Sequence, residues 1–173
     1  VKKLVTTKGN SKLISDFTFA DRASLDLSNL DNIESYFDNN QFDTIINCAA
    51  YTLVDEAENN KELANQVNHL AVKKIAESIC ESRTHLIHIS TDYVFDGTSC
   101  KPYEEIDLPN PINVYGKTKL AGEIAIKRVM RTNATIIRTS WVYSEFGNNF
   151  VQTMLRLGRE RDELNVVDDQ LGS

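Results

Sequence analysis

Two residues four positions apart, Tyr115 and Lys119, are the pair in this chain most able to do chemistry. They fall in Asn113-Val114-Tyr115-Gly116-Lys117-Thr118-Lys119, which opens a helical pattern. At that spacing both side chains lie on one face, one turn apart. A phenol beside an ammonium is a proton donor whose pKa the neighbouring charge tunes. Upstream, Ser90 and Thr91 end the apolar run Leu86-Ile87-His88-Ile89, which reads as a buried strand. Ligands of open α/β sheets bind at the carboxyl ends of strands, where Thr91 sits. The spacing by itself is weak, since a surface Lys beside a half-buried Tyr is equally common. Placement at a strand end gives it weight.

The elements that must position these residues alternate. Strands are predicted at 4–7, 13–20, 43–50, 85–91, 135–139 and 164–167. Helices are predicted at about 29–38, 61–82, 112–131 and 149–161, with a capping pair of Asp55 and Glu58 before the second. The stripe Leu63, Val67, Leu70, Ile75 and Ile79 is the expected core face of that helix. All three prolines fall between 102 and 111, so 96–110 reads as a long surface loop. Strand-helix alternation implies βαβ units and a parallel sheet. Gly116 and Gly122 inside the helix suggest close approach of another backbone, because helix-interior glycine costs about 1 kcal/mol relative to alanine.

The bulk numbers bound the class. The 173 residues suffice for one domain with a core, and 41% hydrophobic with 25% charged residues is ordinary for a soluble globular chain. A net charge of −6 without a basic stripe argues against nucleic acid or an anionic membrane as partner. No apolar stretch reaches the roughly 20 residues needed to span a bilayer, and no signal peptide is visible. Three scattered cysteines, Cys48, Cys80 and Cys100, read as reduced thiols of a cytoplasmic protein. The three histidines share no metal spacing and read as surface or strand residues.

Ser90-Thr91-Asp92-Tyr93-Val94-Phe95-Asp96-Gly97 followed by Pro111-Ile112-Asn113-Val114-Tyr115-Gly116-Lys117-Thr118-Lys119-Leu120-Ala121-Gly122-Glu123 resembles the extended short-chain dehydrogenase/reductases, in their sugar-nucleotide branch. Asn47-Cys48-Ala49-Ala50-Tyr51-Thr52-Leu53-Val54-Asp55, Arg138-Thr139-Ser140-Trp141-Val142-Tyr143 and Gly147-Asn148-Asn149-Phe150 carry the same resemblance. It implies a Rossmann-type doubly wound parallel sheet and an NAD(P)H-dependent reduction of a nucleotide-linked 4-keto sugar that completes dTDP-L-rhamnose. Tyr115 would protonate the oxygen, Lys119 would bind the nicotinamide ribose and lower the Tyr pKa, and Thr91 would hold the substrate oxygen. Asp92, Tyr93, Val54 and Trp141 would contact the sugar nucleotide. Asp26, Leu27, Ala49, Ala50, Tyr51, Thr52, Asn68 and Ser90 would join Tyr115 and Lys119 in binding NADPH or NADH. Asp26 could equally be a helix N-cap, and Asn68 either a polar contact at the sheet centre or an exposed side chain. Mg2+ enters only by family analogy, with no ligand set in the sequence, and a homodimer is one allowed assembly. Another nucleotide-sugar epimerase or reductase, and a non-catalytic dinucleotide-binding regulatory subunit, remain alternatives.

One departure stands out. The dinucleotide fold needs a Gly-rich turn after its first strand, and Gly9 is the only glycine before Gly97. Residues 1–173 are therefore expected to form an incomplete nucleotide-binding domain, lacking that turn and most of a small C-terminal substrate domain.

Overall fold

The computed structural model describes residues 17–166. Its sheet has three parallel strands in sequential order, β1 (Thr44–Asn47), β2 (His85–Thr91) and β3 (Ala134–Thr139). Sequential order with helical crossovers advances in one direction, as one wing of a doubly wound sheet does. The helices α1 (Leu30–Asn39), α4 (Ala71–Ile79) and α5 (Val114–Met130) pack side by side as a layer on this sheet. Their apolar stripes meet β2 at a core that includes Ile33, Phe37, Val72, Ile75, Leu86 and Ile126. Leu86, His88 and Ser90 are buried on β2 at the period of two that one sheet face demands, and Thr91 at the strand end is buried as well.

Strand β2 and helices α1 and α5 fall close to their predicted bounds. Asn29, not Asp26, caps α1, accepting from Asp31 and Asn32 N–H groups. Asp26 instead closes a turn on Ser28, whose N–H and hydroxyl both donate to it. The long helix predicted at 61–82 is broken into α3 (Lys61–Asn65), a π-helical turn at Gln66–Leu70, and α4. A π turn inserts one residue and slips the phase of the stripe. Leu63 is consequently 41% exposed, and the small Ala64 is buried in its place. The short helix α2 (Val54–Ala57) has no side-chain cap of its own. Glu58 reaches across to accept from the Val114 N–H at 2.8 Å, at the start of α5.

The described parts of two predicted strands are not in strand conformation. Residues 17–20, the described part of the 13–20 prediction, are exposed and irregular, with Phe17 stacked on Phe19 at 5.9 Å. Residues 164–166 are irregular too, and an alternation of only Leu164 and Val166 is too short to drive a strand. The predicted strand at 4–7 and the Gly9 turn lie outside the described residues. The last helix, α6 (Phe150–Glu160), is capped by Asn149 and has no fully buried residue.

Candidate active site

The parallel strands end together. Asn47 pairs in register with His88, and Thr91 with Thr139. The segments that follow β1, β2 and β3 therefore leave from one carboxyl edge, and α5 starts beside them. Asn113 sets that start by accepting the Gly116 N–H at 2.7 Å. Gly116 lies against the Tyr93 carbonyl, where a Cβ would collide with backbone. This close approach seats the 3₁₀ turn at Asp92–Val94 on the first turn of α5. Tyr93 and Tyr115 consequently meet edge to face, with ring centroids 5.6 Å apart. Thr91 is buried, accepts from the Tyr93 N–H and donates to Asp92.

Tyr115, half-buried, is thus brought together with Thr91, Asp92 and Tyr93. Burial pushes its phenol above the ordinary value; a hydrogen bond with Thr91 draws it back, and the charges of Asp92 and Tyr93 add to the rise. The expected lowering by Lys119 is not what this geometry produces. Lys119 is 1% exposed, and its Nζ donates to the Ile89 carbonyl at 2.7 Å and lies 3.3 Å from His88 Nε2. Burial holds its ammonium down to about 8, against the pull of Glu123 and Cys48. The lysine thus faces the sheet, while the phenol faces the edge turn.

The turn after β1 is fixed by Asn68. This side chain is fully buried, which settles its two open readings in favour of a polar contact. Its Oδ1 accepts the Tyr51 N–H at 2.8 Å, and its Nδ2 donates to the Tyr51 carbonyl at 3.1 Å and to Thr118 Oγ1 at 3.2 Å. Gly122 lies against the Asn68 carbonyl, so α5 and the π turn meet backbone to backbone. Ala49 and Thr52 are exposed and Ala50 and Tyr51 half-buried, leaving small side chains on an open turn. Val54, half-buried, begins α2, which Glu58 ties to α5.

Other expected residues have different employment. The Ser90 hydroxyl donates to Glu123 Oε1 at 2.6 Å, so any cofactor contact by Ser90 would come from its position at the strand end. Leu27 is a core residue, packed in the cluster that includes Ile33 and Phe37. Asp26 is held by Ser28, with Arg22 at 3.7 Å. Trp141 is not core: it is 47% exposed, meets Phe150 edge to face, and has φ of 50°. A bulky residue in the left-handed region is strained, a cost of order 1–3 kcal/mol that is found most often at functional sites. Next to it Ser140 Oγ is buried with no hydrogen-bond partner among the described residues. An unpartnered hydroxyl, a strained exposed indole and an open alanine turn thus follow the carboxyl ends of β3 and β1.

The sequence reading missed the buried layer beneath. Glu123, fully buried, accepts a bidentate pair from Arg138 at 3.0 and 2.7 Å. Arg138 lies over the Phe95 ring at 4.9 Å, and Phe95 stacks on Tyr103 at 4.2 Å. Asp96 accepts from Thr98, Asn110 and Tyr103, bonds that hold its carboxyl well below the usual range and order the proline-rich loop. Glu123 stands four residues beyond Lys119, a spacing that could have flagged it. His88, fully buried, gave no signal inside its apolar run. Among the described residues, no group of three or more His, Cys, Asp or Glu could hold a metal ion, so the Mg2+ expectation gains no support here. No described helix is long and apolar enough to cross a membrane.

A parallel sheet with its helical crossovers, and a Tyr–Lys helix opening at its carboxyl edge, define a Rossmann-type nucleotide-binding fold. The chain belongs to the family described as RmlD substrate binding domain, which it matches over residues 6–173. It is 50% identical over 131 residues to a dTDP-4-dehydrorhamnose reductase of Salmonella typhimurium, covering 76% of this chain and 44% of that one. It is 42% identical over 170 residues to the enzyme of the same name from Aggregatibacter actinomycetemcomitans, covering 98% and 56%. Among solved structures, dTDP-4-dehydrorhamnose reductase from Bacillus anthracis str. Ames, in complex with NADP, superposes with a TM-score of 0.88 at 40% identity, over 97% of this chain and 59% of that one. The chain spans about half the length of the curated relatives it matches.

Proposed function

We propose that this chain carries the catalytic wall of an NADPH-dependent dTDP-4-dehydrorhamnose reductase, with residues 1–173 serving as its nucleotide-binding domain. The observation that carries the reading is the half-buried Tyr115, edge to face with Tyr93 on the turn that follows Thr91, at the carboxyl edge of the sheet and one helical turn from a buried Lys119. The names of the relatives support the 4-keto sugar as substrate, and the NADP complex of the Bacillus anthracis protein supports NADPH over NADH.

In this reading the nicotinamide supplies hydride to the keto carbon. Tyr115 donates its proton to the oxygen as negative charge gathers there. A phenol held above its ordinary value is fully protonated at neutral pH, the form a donor needs. Thr91 fixes the oxygen near Tyr115 and steadies the phenolate left behind. Lys119 binds the nicotinamide ribose. Asp92, Tyr93, Val54 and Trp141 border the sugar, while Ala49, Ala50, Tyr51 and Thr52 let the dinucleotide approach the β1 edge. Asn68 keeps that turn in place. Ser90, Asp26 and Leu27 complete the cofactor side by position. The test is the full-length protein with NADPH and dTDP-4-dehydro-L-rhamnose: nicotinamide absorbance falls and dTDP-L-rhamnose accumulates. Cofactor binding without oxidation would sink the reductase reading and favour a regulatory subunit.

A further inference from the structure

His88 is fully buried and lies in line between Asn47 and Lys119. Asn47 Oδ1 accepts the Ala49 N–H at 3.1 Å, and its Nδ2 stands 3.2 Å from His88 Nδ1. The reverse amide orientation would set an NH2 group against that N–H. An amide nitrogen only donates, so Nδ1 must accept and the imidazole proton must sit on Nε2. That N–H is directed at Lys119 Nζ, 3.3 Å away. An ammonium has three donors and no acceptor, whereas a free amine has a lone pair. The other His88 tautomer would only move the mismatch to Asn47, and a doubly protonated ring would face two donors.

We infer that His88 is a positioning residue: locked by Asn47 as the Nε2–H tautomer, it offers a donor to Lys119 and thereby favours the uncharged amine. The groups facing the pair are few. Glu123 on the same helix and Cys48 after β1 both favour the charged lysine, opposing His88 on β2. Burial and then the Lys119 charge hold the imidazole down to about 3, in keeping with a ring that stays neutral. His88 would then set the pH at which Lys119, the residue proposed to bind the nicotinamide ribose, carries its positive charge. That consequence rests on the reductase reading; the tautomer itself does not.

Nitrogen NMR on the labelled full chain, without cofactor, tests the inference. The expected result is an Nε2–H tautomer for His88 across neutral pH; an Nδ1–H tautomer overturns it. Asn47→Asp still accepts the Ala49 N–H but also accepts from Nδ1–H, which turns a lone pair on Nε2 toward the ammonium. The Lys119 midpoint should rise by about one pH unit or more. His88→Gln, whose amide oxygen can turn to the ammonium, should raise it as well and serves if the aspartate variant does not fold. An unchanged midpoint in whichever variant folds overturns the inference. In the folded variant the pH profile of kcat should move with that midpoint. A moved midpoint with an unmoved kcat profile supports the role of His88 and tells against the role of Lys119 in the reductase.

Discussion

Replacing Asn68 by alanine should strike stability and cofactor affinity together. The side chain makes three hydrogen bonds from a fully buried position, two of them to the Tyr51 backbone. Thr118 loses least, since its hydroxyl also donates to the Tyr115 carbonyl at 2.9 Å. The N–H and carbonyl of Tyr51 are both left without a protein partner. A buried group so orphaned costs about 1–3 kcal/mol. Tyr51 is half-buried, so water relieves part of this, and about 1–1.5 kcal/mol for each group gives a loss of about 2–3 kcal/mol. With a urea slope of about 2 kcal/mol/M, the unfolding midpoint should fall by about 1–1.5 M at unchanged slope. Dinucleotide affinity, followed by titration calorimetry, should fall as the 49–52 turn loosens. A midpoint within about 0.2 M of wild type, with unchanged affinity, would refute the idea that Asn68 holds the turn.

Glu123→Gln removes one partner of a buried bidentate pair, for which the full cost is about 3–5 kcal/mol. Arg138 retains some solvent (18% exposed), so a loss of about 2–4 kcal/mol is expected in urea unfolding. The same variant should speed proteolysis in the 96–110 loop, because Arg138 over Phe95 links that loop to the core. His88 makes stability depend on acid. Its folded value of about 3 lies below the unfolded 6.5, so only the unfolded chain takes up a proton between them. The contribution is whole above about pH 6.5 and is lost as pH falls toward 3, a slope that urea titrations on His88→Gln should lack.

The β2 strand was legible from its apolar run and the α5 helix from its helical pattern, whereas the Asn113 cap emerged only from the structure. Tyr115, Thr91 and the alanine turn followed from strand ends and the family resemblance. The phase of the helix from 61 onward was not legible. Apolar Leu63, Val67 and Leu70 suggested the buried stripe, yet Ala64 and Asn68 are the buried residues, with the Asn68 backbone lying against Gly122. Only the tertiary contact decides that choice. Asp55 and Glu58 looked like a local cap, but Glu58 serves a helix 56 residues downstream. The Asn47–His88–Lys119 line was hidden for the same reason: it is built across two strands and a helix, and a histidine in an apolar run shows no local period.

The most direct test of the account is the kinetics of Tyr115→Phe. Removing the phenolic oxygen leaves the ring, and with it the contact to Tyr93, in place. Turnover of the 4-keto sugar should fall by roughly 10²–10⁴-fold, the range for loss of a general acid, while NADPH affinity stays within about twofold. A variant turning over near the wild-type rate would contradict the assignment of Tyr115 as proton donor.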